Sequence, residues 1–147
     1  MTVSCSNAAL ITFPKATGGS NTITYFGIGT ASSGTGVLLV RKALTSSLAV
    51  SNNIQPQFAI GALTVATSGD VADSWIADIL NLLFVNSNAA NIGDATGLRG
   101  SSTAGSLYVS LHTADPGTTG DQTTSEATYT SYARVAVART SGGWTIA

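Results

Sequence analysis

The chain has 147 residues, 44% of them hydrophobic and only 9% charged, with six Lys+Arg against seven Asp+Glu. That size suits one domain with a sizeable core, and the near-balance of charge offers no global field to attract nucleic acid or an anionic membrane. A single Cys and a single His exclude an intrachain disulfide and any Cys- or His-rich metal site.

Residues 8–14 read as a short strand stopped by Pro14, which cannot donate to a ladder. A turn at 17–21 leads to a strand at Thr22–Ile28, and Ser32-Ser33-Gly34-Thr35-Gly36 turns the chain again. Val37–Leu44 reads as a mostly buried strand, with Arg41-Lys42 marking its emergence. Ser47–Ser51 and Gln57–Ala66 complete a series of short strands whose near-regular spacing points to a sandwich or barrel rather than a βαβ fold. At Ser68 the period changes. Ala72, Trp75, Ile76, Ile79, Leu80 and Leu83 follow i, i+3, i+4, i+7 spacing, which predicts an amphipathic helix at about 70–86. Asp70 suits its N-cap, and Asp73 suits the positive end of the helix dipole. Leu82 and Phe84 fall off the main stripe, which means either a wide core-facing stripe or a subunit contact. Residues 88–106, rich in Asn, Gly, Ser, Thr and Ala, read as a long ordered loop or arm, or else as a disordered one.

Leu107, Val109 and Leu111 alternate with Tyr108, Ser110 and His112 as in a half-buried strand. Asp115-Pro116-Gly117 supplies turn chemistry. Strand character resumes over Tyr129–Arg139, and Ser141-Gly142-Gly143 turns the chain before Trp144. The expected fold is therefore mainly β: an antiparallel β-sandwich of jelly-roll type, one domain with halves 1–69 and 104–147 joined by the helix and the arm. Tyr25–Gly36 and Tyr108–Thr119 form a weak internal repeat, which is either a duplication or two turns built from the same small residues.

Charge is unevenly distributed. Residues 1–69 hold Lys15, Arg41 and Lys42 and no acid, whereas all seven acids fall within 70–126 beside Arg99 alone. So few charges favour association over a free monomer.

Reactive constellations are hard to assemble from these residues. Ser110, His112 and Asp115 are the types of a catalytic triad, but Ser110 and His112 share a strand face two residues apart and Asp115 belongs to the next turn. A triad is a geometry, not a composition, and no G-x-S-x-G elbow is present. His112 is expected to fix the turn through groups of Thr113 or Asp115. Asp115 and Asp121 flank a Gly-rich loop without EF-hand spacing. Gly27-x-Gly29 and Gly34-x-Gly36 lack the dinucleotide-binding pattern. No enzyme activity and no cofactor are expected, and Cys5 is expected to be an inert thiol. The start of the sequence lacks a cationic n-region, and no apolar run approaches the ~20 residues of a membrane span.

The combination LYVSLHTADPGTTG, EATYTSYARVAVART and GGWT, together with NAALITFP, ATGGSNTITYFGIGTASSGTG, LLVRKALTSSLAVS and FAIGALTV, resembles a family of small virion proteins of tailed bacteriophages. Its members include tail-fibre-like structural proteins and capsid cement (decoration) proteins. In that family the LHTADPG…YAR…GGWT half precedes the ALITFP…GALTV half. The order is reversed here, so the chain looks circularly permuted, with its two ends expected close together, either in one subunit or between neighbours. The resemblance implies a cement protein made in the host cytoplasm, assembling as a homotrimer on the outer capsid surface and gripping the major capsid protein, with neither nucleic acid nor membrane as partner. The alternative is a tail-fibre or baseplate component recognising a host receptor, with Tyr108, Tyr129 and Tyr132 available to stack on sugars. On the cement reading Trp75, Leu82 and Phe84 serve subunit packing, and Arg41, Lys42, Arg134 and Arg139 contact the capsid.

Overall fold

The computed structural model describes residues 2–67, 71–90 and 92–147. The chain is mainly β: the described residues form three antiparallel sheets and one short helix, consistent with the expected β-sandwich class. It forms two compact units, each discontinuous in sequence. One comprises residues 1–10, 58–106 and 138–147, the other residues 11–57 and 107–137.

In the first unit β1 (Val3–Asn7) lies between β6 (Thr64–Thr67) and β9 (Trp144–Ile146). Both neighbours run antiparallel to it, with Cys5 opposite Val65 on one side and Ile146 on the other. The strands from the two ends of the sequence are thus adjacent, and Ser4 and Ala147 exchange backbone hydrogen bonds of 2.8 and 2.9 Å. Val3, Cys5 and Asn7 point inward by period-2 alternation. The buried Asn7 side chain is satisfied by the carbonyls of Ala9 and Ala59 and by the Leu63 N–H. A strand over residues 3–7 was not expected, because Ser4, Cys5 and Ser6 give it no apolar signature.

The helix α1 spans Asp73–Leu80, shorter than expected, and passes into a π-helical turn at Asn81–Val85. Asp70, the expected N-cap, lies outside the described residues. The residue before the helix is Ala72, without a side-chain cap, and Asp73 occupies the first turn. Asn86 ends the helical run with φ 57° and ψ 29°, a left-handed conformation Asn tolerates. The arm that follows is tied down. Asn86 Nδ2 donates to the Ser101 carbonyl at 2.9 Å, Asn86 Oδ1 accepts from Ser101 N–H at 2.7 Å, and Ala89 and Leu98 pair through their backbones.

The second unit is built on a four-stranded sheet in the order β4 (Leu38–Val50), β3 (Asn21–Gly29), β7 (Ser106–His112), β8 (Val135–Ala138). The expected strands at 37–44 and 47–51 are one continuous β4, with a bulge in its pairing between Ile23 and Tyr25. The short β2 (Ile11–Thr12) and β5 (Gln57–Phe58) form the remaining pair, so the strand expected at 8–14 is only two residues long. The strand expected at Tyr129–Arg139 is likewise reduced to β8. Tyr129 and Tyr132 turn their rings inward against each other, 5.3 Å apart, and Ser131 sits at φ 78°, which breaks the alternation. The two halves of the weak repeat are neighbours in this sheet, with Tyr25 opposite His112 and Gly29 opposite Tyr108.

Candidate functional site

Both faces of β7 are covered. Leu107, Val109 and Leu111 enter the core of the unit, while Ser110 and His112, on the opposite face, are also wholly buried. What covers that second face is the excursion between β7 and β8. Gln122 lies fully buried, with its Oε1 accepting from Ala31 N–H at 2.9 Å. Its Nε2 reaches the Tyr108 carbonyl at 3.4 Å. Glycines make room for this polar layer. A Cβ at Gly27 would stand 2.7 Å from both His112 Nε2 and Ser110 Oγ. One at Gly29 would stand 2.5 Å from Gln122 Cγ and Nε2, and one at Gly36 would overlap Gln122 Oε1.

The Ser110–His112 pair has the contact distance of a nucleophile and its base: Oγ to Nε2 is 2.8 Å, and His112 Nδ1 lies 2.8 Å from the Thr124 carbonyl. That carbonyl requires a proton on Nδ1, so Nε2 accepts from the Ser110 hydroxyl. A neutral carbonyl stands where a triad has its carboxylate, and neither side chain is exposed. Burial, opposed by the Thr124 bond and Glu126, pushes the His112 pKa below its usual 6.5. The pair ties the excursion to the sheet. His112 therefore does not hold Thr113 or Asp115, the partners expected from sequence. Asp115 instead pairs with Arg41 at 2.5 Å.

A second node sits on Glu126. Its carboxylate accepts from Arg134 Nε at 2.6 Å, Arg134 Nη2 at 2.8 Å and Tyr132 Oη at 2.8 Å. The remaining Arg134 donors reach the Ala31 and Gly34 carbonyls at 2.9 and 2.8 Å. The Arg134 side chain is only 3% exposed, so its role is internal and it offers nothing to a capsid surface. Tyr129 is buried, with its hydroxyl on the Pro14 carbonyl, and desolvation pushes its pKa up to about 12. Tyr132 receives the Leu111 N–H at 3.1 Å, and burial raises its pKa further. Neither Tyr129 nor Tyr132 presents a face to a sugar, because both rings are packed and both hydroxyls engaged.

The other expected interface residues separate in the same way. Arg139 Nε and Nη2 donate to the Leu83 and Leu82 carbonyls at 2.6 and 2.7 Å, and Nη1 donates to the Ala104 carbonyl at 3.1 Å. It caps the end of the helical run and is no open contact. Phe84 is fully buried, edge-on to Trp144 with ring centroids 4.9 Å apart, so it belongs to the core. Trp75 is 46% exposed, Leu82 is half-buried, Lys42 is exposed and Arg41 is partly so. Sequence reasoning missed Gln122 and Arg139 as internal ties. The signal for Gln122 lay in Gly29 and Gly36, glycines with no nucleotide pattern to explain them.

A groove of about 620 Å³ runs between α1 and β9 in the first unit, with Asp73, Ser74, Ala77 and Asn81 on the helix side and Trp144, Thr145 and Ile146 on the strand side. The buried Trp144 indole N–H has no hydrogen-bond partner among the described residues. Among those residues no cluster of His, Cys, Asp and Glu is placed to hold a metal, and no helix is long and apolar enough to cross a membrane.

No curated protein and no solved structure matches the chain significantly. Residues 1–66 match a family model described as podophage GP4 fiber I protein gp80, and this similarity supports a phage virion structural protein.

Proposed function

We propose that the protein is a capsid cement protein. On this reading it binds the outer surface of the phage head as a homo-oligomer, bridges neighbouring major capsid protein subunits, and stiffens the shell against the pressure of packaged DNA by the area it buries. One observation carries the reading: in a chain with so few charges, large apolar side chains stand in solvent on both units. Val37 is 64% and Leu39 37% exposed in one, Ile60 70% and Trp75 46% in the other. With so few charges beside them, such side chains favour association over a free surface. Of the cations expected to grip the shell, Arg41 and Lys42 keep surface positions for that role. The experiment is binding of purified protein to expanded empty heads. Saturable binding that raises the temperature of shell disruption is expected, and no binding at any stoichiometry refutes the reading.

A second reading, a tail-fibre or baseplate component that recognises a receptor, is favoured by the fibre description of the family matching residues 1–66. Antibody labelling of intact virions separates the two: label over the head supports cement, label confined to the tail supports the fibre.

A further inference from the structure

The excursion between β7 and β8 lies over the sheet of the second unit with almost no apolar anchorage. Beyond Ala114 and Pro116, every side chain of residues 114–124 is polar or absent, and only Pro116 and Gln122 are buried. What holds the segment is a set of polar ties. Gln122 N–H donates to the Gly36 carbonyl at 3.1 Å, and its Oε1 accepts from Ala31 N–H. The Thr124 carbonyl takes the His112 Nδ1 proton, and Asp115 pairs with Arg41. Water can replace each of these bonds at small net cost, so a segment held this way opens at lower free energy than the sheet beneath it. Its base is firmer. Ala127 N–H donates to the Leu111 carbonyl at 2.9 Å and Thr113 N–H to the Ser125 carbonyl at 2.8 Å, while Arg134 and Tyr132 grip Glu126. Between segment and base, Ser125 sits at φ 54°, a left-handed conformation uncommon for Ser. The segment also keeps turns of its own, since Asp121 Oδ1 accepts from Thr123 N–H at 2.7 Å and Asp115 Oδ1 accepts from Gly117 N–H at 2.9 Å.

One of these ties titrates. His112 is wholly buried, with Nδ1 protonated and Nε2 accepting from Ser110, so a second proton must enter at Nε2. The titratable and charged groups around the ring are Tyr25, opposite it on β3, Glu126, bridged to it from the base, and Arg134. Burial disfavours the second proton most, and Arg134 adds to that, against the Thr124 bond and Glu126, which favour it. We propose that residues 114–124 form a strap that lifts from β3 and β7 as a unit, hinged at Ser125, when His112 takes up this second proton, while the sheet stays folded. Lifting hydrates the imidazolium and parts Asp115 from Arg41. It uncovers the Ser110 hydroxyl, the Ala31 N–H and the Tyr108 and Gly36 carbonyls. The closed strap holds the His112 pKa below 6.5 and the lifted strap restores it. Opening therefore grows as pH falls below about 6.5, by up to about tenfold per pH unit, until the depressed closed-state pKa is passed. The device goes beyond the cement reading and does not rest on it.

Hydrogen exchange at about pH 7.5 and about pH 5.0, expressed as protection over an unstructured peptide at the same pH, reads the strap through the Ala31 and Gln122 amides. Both should lose protection at least about fivefold at the lower pH, whereas other amides of β3, β7 and β1 should keep theirs. In His112→Gln, which has no titrating ring, strap protection should be the same at both pH values. Unchanged Ala31 and Gln122 protection in the native protein, or a loss shared equally by β3 and β7, overturns the proposal, and the native protein alone decides these outcomes whether or not the variant folds. The native pH ratio persisting in His112→Gln overturns it as well, because another group would then be the trigger.

Discussion

Gly29→Ala tests the packing of the excursion over β7. Replacing Gly by Ala at an unstrained position normally stabilises by about 0.4–1 kcal/mol, through the unfolded chain, and Gly29 is not among the positive-φ residues. Here the new methyl would meet the fully buried Gln122 at 2.5 Å from its Cγ and Nε2, with the sheet behind. Overpacking costs about 1–3 kcal/mol. Displacing Gln122 strands the Ala31 N–H it now satisfies at 2.9 Å, for about 1–3 kcal/mol more. The expected loss is about 2–5 kcal/mol, opposite in sign to the usual effect. All four tyrosines lie within residues 11–57 and 107–137 and both tryptophans in the other unit, so urea unfolding followed by tyrosine near-UV signal and by tryptophan fluorescence reads the units separately. The tyrosine transition should move. In Gly29→Ala/Gln122→Ala the methyl occupies space that Gln122 vacated, so the double variant should be at least about 1 kcal/mol more stable than the sum of the singles. A neutral or stabilising Gly29→Ala, or strict additivity, would refute the reasoning.

Three further outcomes are expected. His112 is buried neutral with a pKa below its usual 6.5, so the unfolded chain binds this proton more readily than the folded one. Its contribution is whole above about pH 6.5, is lost as pH falls below that value toward the depressed folded pKa, and His112→Gln should flatten that slope in urea titrations; identical pH dependence in both proteins counts against a buried neutral imidazole. Arg139→Ala removes a cation from two carbonyls at the end of the helical run and one in the arm, that of Ala104. It should lower stability by about 2–4 kcal/mol in the tryptophan transition, and a loss under about 0.5 kcal/mol would show those bonds to be dispensable. Burial pushes the Cys5 thiol pKa up to about 12, so an aromatic disulfide reagent should react only after unfolding; rapid reaction in buffer would contradict a closed first unit.

The sequence made legible whatever depended on periodicity. The alternation of Leu107, Val109 and Leu111 located β7, and the spacing of Ile76 and Leu80 located α1. Family resemblance also led to the expectation that the two ends of the sequence lie close together, within one subunit or between neighbours, though not that a strand would carry the first of them. The sequence failed where polar groups, not apolar ones, specify structure. The Ser-Cys-Ser of β1 carries no hydrophobic signature, yet hydrogen bonds to two neighbours make it a central strand. Arg134 and Arg139 look like surface cations in one dimension, because the carbonyls and carboxylate they serve lie as much as 103 residues away. The sequence left Phe84 between a wide core-facing stripe and a subunit contact; it is in the core, against Trp144, at the π-helical turn of Asn81–Val85. A regular 3.6-residue period does not anticipate such a turn.

The pairing of β1 with β9 has a mechanical consequence. Tension applied at residues 3 and 147 acts on adjacent ends of two antiparallel strands, so it opens their hydrogen bonds one after another from the Ser4–Ala147 pair inward. Such a ladder unzips at low force, whereas the same bonds loaded lengthwise would have to break together. A tether attached at residue 3 or residue 147 therefore pulls on the weakest direction of this pairing. Force transmitted across the protein would have to enter through side-chain surfaces, away from the strand ends.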